Sequence, residues 1–164
     1  MSGSRVVQDL GTPGTVRLYR VAGLAVPVVP GRGRLVTAAD HAVLVEWHAA
    51  FAAEVALDDP RGDQPAPGRP GTVRGEAAGA PASFAGLSPA SGGACRIGPV
   101  YTPPAARGRG CGAAVMAYAS QVAPAERRRE AVLFTDPAYP MSDAVYRTIG
   151  FRPVGDHALV MFAG

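Results

Sequence analysis

Arg107-Gly108-Arg109-Gly110-Cys111-Gly112-Ala113 is the stretch that decides how this chain reads. Gly108, Gly110 and Gly112 take the Cβ atoms out of a turn, and the residues after it, Val115, Ala119 and Val122, recur at helical spacing until Pro124. The pattern predicts a helix that begins near Gly108. The first N–H groups of a helix lack partners within it and carry partial positive charge, so a turn free of side-chain bulk lets them close around a phosphate. Arg107 and Arg109 stand beside the turn, and a guanidinium fork matches phosphate oxygens in charge and geometry. A helix start chosen only for tight packing uses the same glycines, and short glycine motifs also arise by chance.

Working outward, Ala94 to Thr102 (ACRIGPVYT) reads as a strand with apolar positions at Ile97 and Val100, closed by Pro103-Pro104. Before it, Thr72 to Glu76 and Pro81 to Leu87 form a hairpin around Ala78-Gly79, so three successive strands make an antiparallel meander. Thr37-Ala38-Ala39-Asp40 has capping-box spacing, and Leu44, Trp47, Phe51 and Val55 then recur every three or four residues, predicting a helix from Ala38 to Leu57. Between helix and hairpin, Pro60, Pro65, Pro67 and Pro70 forbid regular structure from Asp58 to Gly71. Downstream, Ala131 to Thr135 (AVLFT) is a buried strand. A short helix from Ser142 to Ile149 stops at Gly150, and Phe151 to Val154 and Ala158 to Phe162 supply the last strands. At the other end, Thr15 to Ala22 is a strand that leads into a linker containing Pro27, Pro30 and Gly31.

Composition narrows the chemistry. The length of 164 residues suits one domain, and 48% hydrophobic against 18% charged residues argues against general disorder. The basic residues are all Arg, so a Walker lysine and a Schiff base are both excluded. A net charge of +3 is modest, and Arg127-Arg128-Arg129 is short and flanked by Glu126 and Glu130, which suits a solvated loop rather than a nucleic-acid footprint. Cys95 and Cys111 match no metal spacing, and the N-terminus lacks a signal peptide's apolar core, so no metal and a cytoplasmic location are expected. No apolar run reaches the roughly 18 to 20 residues that span a bilayer, so no membrane association is expected.

A dinucleotide fold must be weighed, because Gly108 to Ala113 also satisfies a loose GxGxxA pattern. Few residues come after Ala113, and a meander precedes it where a βαβ unit would be needed. The wider order is more specific. Arg96-Ile97-Gly98-Pro99-Val100-Tyr101-Thr102-Pro103-Pro104, Arg107-x-x-Gly110-x-Gly112, Leu133-Phe134-Thr135-Asp136 and Tyr146-Arg147-x-x-Gly150-Phe151-Arg152-Pro153-Val154 succeed one another in a spacing that resembles the GNAT acetyltransferase family. The likeness runs from Ala94 to the C-terminus and more loosely back to about Gly33.

The resemblance implies an α+β fold of the GNAT acyl-CoA N-acyltransferase type, with a mixed, mostly antiparallel central sheet flanked by helices. It implies acetyl-CoA as cosubstrate and a small-molecule or peptide amine as acceptor. Arg107, Gly108, Arg109, Gly110, Cys111, Gly112 and Ala113 would hold the pyrophosphate, and Val100, Tyr101 and Thr102 would expose backbone groups to the pantetheine arm. A backbone N–H near Val100 would polarise the thioester carbonyl. Tyr146 falls where many members place the tyrosine that protonates the departing thiolate, although a half-buried aromatic explains it too. Glu76, on a predicted central strand, is a candidate general base, its plainer reading being an exposed strand carboxylate. His41, His48 and His157 are scattered, and Cys111 reads as a small loop residue rather than a nucleophile.

Departures from the pattern matter as well. Tyr139 replaces the family's usual Asn near the cofactor, and Ser142-Asp143 stands where Ser-Asn is common, so Tyr139 and Asp143 join the expected cofactor contacts. The family's second helix has no counterpart in Asp58 to Gly71. Residues 1–32 resemble the tail of a degenerate N-terminal half found in longer relatives, ahead of an acetyltransferase domain at 33–164. Such a remnant favours a homodimer. A non-catalytic acyl-CoA-binding or interaction module is the competing function.

Overall fold

A computed structural model of the chain describes residues 14–58, 72–89, 93–125, 130–135, 137 and 140–159. Along the chain these form β1 (Gly14–Val21), β2 (Arg32–Leu35), α1 (His41–Asp58), β3 (Thr72–Ala77), β4 (Ala80–Pro89), β5 (Ala94–Tyr101), α2 (Cys111–Ala125), β6 (Glu130–Thr135), α3 (Pro140–Thr148) and β7 (Phe151–Leu159). The strands make one seven-stranded sheet in the order β2-β3-β4-β5-β6-β1-β7. Only the β5–β6 pair is parallel among the described strands, so the sheet is mixed and mostly antiparallel, and the α+β class expected from the sequence is what the chain adopts.

Local chemistry accounts for most element boundaries. Thr37 and Asp40 complete the capping box, after which a single 3₁₀ turn at Ala38–Asp40 feeds α1. The β3–β4 hairpin turns on Ala78 and Gly79, both at positive φ (53° and 77°), as a two-residue hairpin turn requires. On β4, Phe84 and Ala85 point to opposite faces as pleating demands, and two cores result. Val115, Met116 and Ala119 of α2 bury Ala85, Ile97, Ala131 and Leu133, with Tyr19, Ile149 and Phe151 extending that cluster under α3. On the other face Leu44 and Trp47 of α1 pack on Phe84 and Tyr101.

Two features differ from the sequence reading. The expected break between Val154 and Ala158 is absent, and β7 is one strand, because Val16, Arg17 and Leu18 of β1 pair with His157, Asp156 and Gly155 across it. Arg17 adds two bonds to the Asp156 carboxylate, at 2.6 and 3.0 Å. The end of the last expected strand, 160–162, lies outside the described residues. Arg32–Leu35, for which the sequence predicts no regular element, is an edge strand paired with Val73 to Glu76 of β3.

β1, first in sequence, lies inside the sheet between β6 and β7. The linker after it is held by Ala22 N–H to the Gly150 carbonyl and Ala25 N–H to the Ile149 carbonyl, both 3.0 Å. It then reaches the glycine turn, where Val29 Cγ1 lies 2.9 Å from the position a Cβ on Gly110 would occupy.

Candidate acyl-transfer site

β5 and β6 pair only over Ala94 to Arg96 with Glu130 to Val132. Beyond that point both strands continue, β5 to Tyr101 and β6 to Thr135, without pairing to each other. A bulge lies where they part: Ala85 faces Val100 and Leu87 faces Ile97, so Gly98 and Pro99 stand opposite the single residue Gly86. An extra residue bends a strand and increases its twist, which re-aims the residues beyond it. Those residues are Val100, Tyr101 and Thr102, whose backbone pairs with no described residue of β6.

The glycine turn closes the open end of this gap. Gly108 and Gly110 have φ of 75° and 76°, left-handed values that account for glycine at both positions. They keep the turn out of the helix, so α2 starts at Cys111 rather than near Gly108, and Ala114 N–H to the Gly110 carbonyl at 3.0 Å is a first-turn bond. Arg107 to Gly110 are all exposed, whereas Cys111 is buried and its carbonyl accepts from Ser83 Oγ at 3.1 Å. Gly112 lies against Thr102, with room of only 3.2 Å between Thr102 Oγ1 and a Cβ at that position. Gly112 and Ala113 thus form the first turn of α2 beside the end of β5. The structure therefore brings Val100 to Thr102 and Arg107 to Ala113 together at one end of the sheet.

The other expected residues lie on other elements. Tyr146, on α3, is partly buried against the α2-side core and meets the Tyr19 ring edge-on at 5.9 Å. Asp143, one turn earlier, accepts from Arg147 Nε at 2.8 Å. Tyr139 lies outside the described residues. Glu76 is near the β2 edge, on the α1 side with Arg74, and accepts hydrogen bonds from Arg32 (3.1 Å), Arg34 (2.9 Å) and Arg74. Those bonds, Arg34's foremost, hold its pKa down at about 2. A carboxylate so held is a weak proton acceptor at neutral pH. Among the histidines, His48 packs 4.6 Å from the Phe84 ring and burial lowers its pKa, favouring the neutral ring.

Two features escaped the sequence reading. Glu54, in the last turns of α1, meets Arg107 beside the glycine turn. An open-sided cleft of about 230 Å³ lies on the other flank of α2, where Val29, Pro30, Cys111, Ala114 and Tyr118 face Ser83 of β4. Neither carries a local pattern, since each joins residues far apart in the chain.

Among the described residues, no group of His, Cys, Asp and Glu has the makings of a metal site, and no helix is long and apolar enough to cross a membrane. A family model described as the acetyltransferase (GNAT) family matches residues 41–151. No curated protein matches the chain. Among solved structures, a GCN5-related N-acetyltransferase from Kribbella flavida is similar at a TM-score of 0.57 and 22% identity, over 87% of this chain and 55% of that one. An acetyltransferase of the GNAT family from Colwellia psychrerythraea gives 0.61 at 10% identity, over 85% and 53%. A GCN5-related N-acetyltransferase from Sphaerobacter thermophilus gives 0.61 at 17%, over 90% and 51%. The chain thus spans little more than half the length of these structures, and at such identities the likeness is one of fold.

Proposed function

Because this chain belongs to the acetyltransferase (GNAT) family, and is by that membership an acyltransferase, we propose that it moves an acetyl group from acetyl-CoA to a primary amine. The observation that carries this reading is the gap between β5 and β6, which opens at the Gly98-Pro99 bulge and ends on the glycine turn. The turn's exposed, left-handed glycines suit a pyrophosphate against the first N–H groups of α2. The backbone edge of Val100 and Tyr101, unpaired with β6, suits the amides of a pantetheine arm.

In this reading a backbone N–H near Val100 donates to the thioester oxygen and stabilises the negative charge that forms on it. The acceptor nitrogen bonds to the carbonyl carbon, the carbon–sulfur bond breaks, and Tyr146 gives the departing sulfur a proton. Glu76, caged by three arginines, serves as an ionised anchor of the β2–β3 edge, and the amine loses its surplus proton to water. Acceptors are small-molecule or peptide amines. We assign residues 33–164 as the acetyltransferase domain and 1–32 as an N-terminal extension that lends β1 to that domain's sheet, the protein being cytoplasmic and a homodimer. A monomeric mass by light scattering counts against the dimer.

Calorimetry with acetyl-CoA, run beside a thiol-release assay over a panel of amines, tests the function. Binding with amine-dependent release is expected. Binding without release for any amine points to an acyl-CoA-binding module instead, and absence of binding returns the glycine turn to a packing role.

A further inference from the structure

Arg107 and Arg109 flank Gly108 and, in sequence, offer the same charge to the same anion. Their surroundings are not alike. Arg107 Nε donates to the Thr102 carbonyl at 2.9 Å, and its Nη2 donates to both oxygens of the Glu54 carboxylate at 2.8 Å. The same guanidinium lies 5.8 Å from the centre of the Tyr101 ring. Tyr101 is 5% exposed, packed among Trp47, Phe51 and Phe84, and its phenol is pushed up in pKa by burial and then by the Glu54 charge. The side chain of Arg107 is thereby drawn to the α1 side of the sheet, away from the face that α2 covers. Its charge is matched by Glu54, and a phosphate would have to displace that carboxylate. Arg109 is exposed and, among the described residues, meets no acceptor.

We propose that the two arginines divide the work. Arg107, latched to Glu54, is a positioning residue that fixes the Thr102 carbonyl and with it the edge from Val100 to Thr102, while Arg109 is the guanidinium that takes a phosphate of the ligand. The inference rests on the acyl-CoA reading above. An ion pair this exposed adds little to stability, so its consequence is geometric. It ties the end of α1, the end of β5 and the start of the glycine turn at one point. A small displacement of reacting groups costs far more in rate than in binding.

Glu54→Gln, Arg107→Gln and Arg109→Gln, assayed by acetyl-CoA calorimetry and by steady-state thiol release, test the division. Glu54→Gln and Arg107→Gln should each lower kcat by about tenfold and leave Kd within about twofold, and the double variant should be no worse than either single one. Arg109→Gln should raise Kd by about tenfold, with kcat little changed and the loss smaller at high salt. Should Arg107→Gln fold poorly, Arg107→Lys keeps the charge but not the fork, and the same kcat loss is expected. The division is overturned if Arg107→Gln weakens Kd as much as Arg109→Gln, if Glu54→Gln tightens Kd by releasing Arg107, or if Glu54→Gln leaves kcat unchanged. Wild-type protein that binds acetyl-CoA without transfer overturns the part given to Arg107, and wild-type protein that does not bind it overturns the acyl-CoA reading and this inference together.

Discussion

Asp40 is 2% exposed and accepts from the Thr37 backbone N–H at 2.8 Å, from both terminal nitrogens of Arg34 at 2.8 and 2.7 Å, and from Arg74. Its capping role was legible, because Thr37 and Asp40 sit three residues apart and every bond of a capping box is local. Its partnership with Arg74 was not, since nothing near position 40 announces a cation brought in by a strand on the far side of the 58–71 segment. The Arg34 bonds hold the Asp40 carboxyl well below the usual carboxylate range, and Glu76 is held at about 2. Both folded-state pKa values are therefore lower than those of the unfolded chain, about 3.9 for Asp and 4.3 for Glu. Stability from the pair is complete above roughly pH 5 and is lost as pH falls through about 4 toward 2. Thermal melts should be level from pH 8 to about 5.5 and fall steeply below 4. Asp40→Asn, which leaves Arg34 and Arg74 facing a neutral group, should cost about 3 kcal/mol in urea unfolding at pH 7 and flatten the acid limb; equal stability at pH 7 argues against the network. Tyr146→Phe is the matching test of chemistry. It should lower turnover about tenfold with acetyl-CoA affinity unchanged, and an unaltered turnover number removes Tyr146 from the mechanism.

α2 and its approach were the most readable elements. The glycines, the period of Val115, Ala119 and Val122, and Pro103-Pro104 are all short-range signals, and the helix lies within three residues of its expected start. The β3–β4 hairpin and α1 were readable for the same reason. β2 was not, because RGRL has no apolar alternation and owes its place to Arg32 and Arg34 reaching Glu76 across the β2–β3 pair. The junction between α3 and β7 turns on Gly150, which sits at φ +100°, where a Cβ would come within 1.9 Å of the Gly23 carbonyl oxygen. The obstacle is backbone, which cannot rotate aside. Gly150→Ala should cost at least about 2 kcal/mol, combining the strained φ with displacement of the linker after β1. Urea denaturation measures it, and a cost below about 0.5 kcal/mol, the level of ordinary surface changes, contradicts the packing of Gly23 on this corner.

For the molecule as a whole, the position of β1 matters most. A chain that starts at Gly23 loses the strand between β6 and β7, exposing two unpaired edges and removing Tyr19, one of the largest fully buried side chains in the α2-side core. Such a chain should show no cooperative thermal transition and should aggregate; a melt matching that of the full chain would show β1 to be dispensable. By itself the amino-acid sequence determined the α+β class, the order of most elements, the glycine turn and the family, because each rests on periodicity, capping or turn chemistry among residues a few positions apart. The tertiary structure alone decided that β1 is interior, that Glu76 is caged by Arg32, Arg34 and Arg74, and that Arg107 pairs with Glu54. Hydrogen bonds and ion pairs depend on distance through space, and only the folded sheet sets that distance for residues so far apart along the chain.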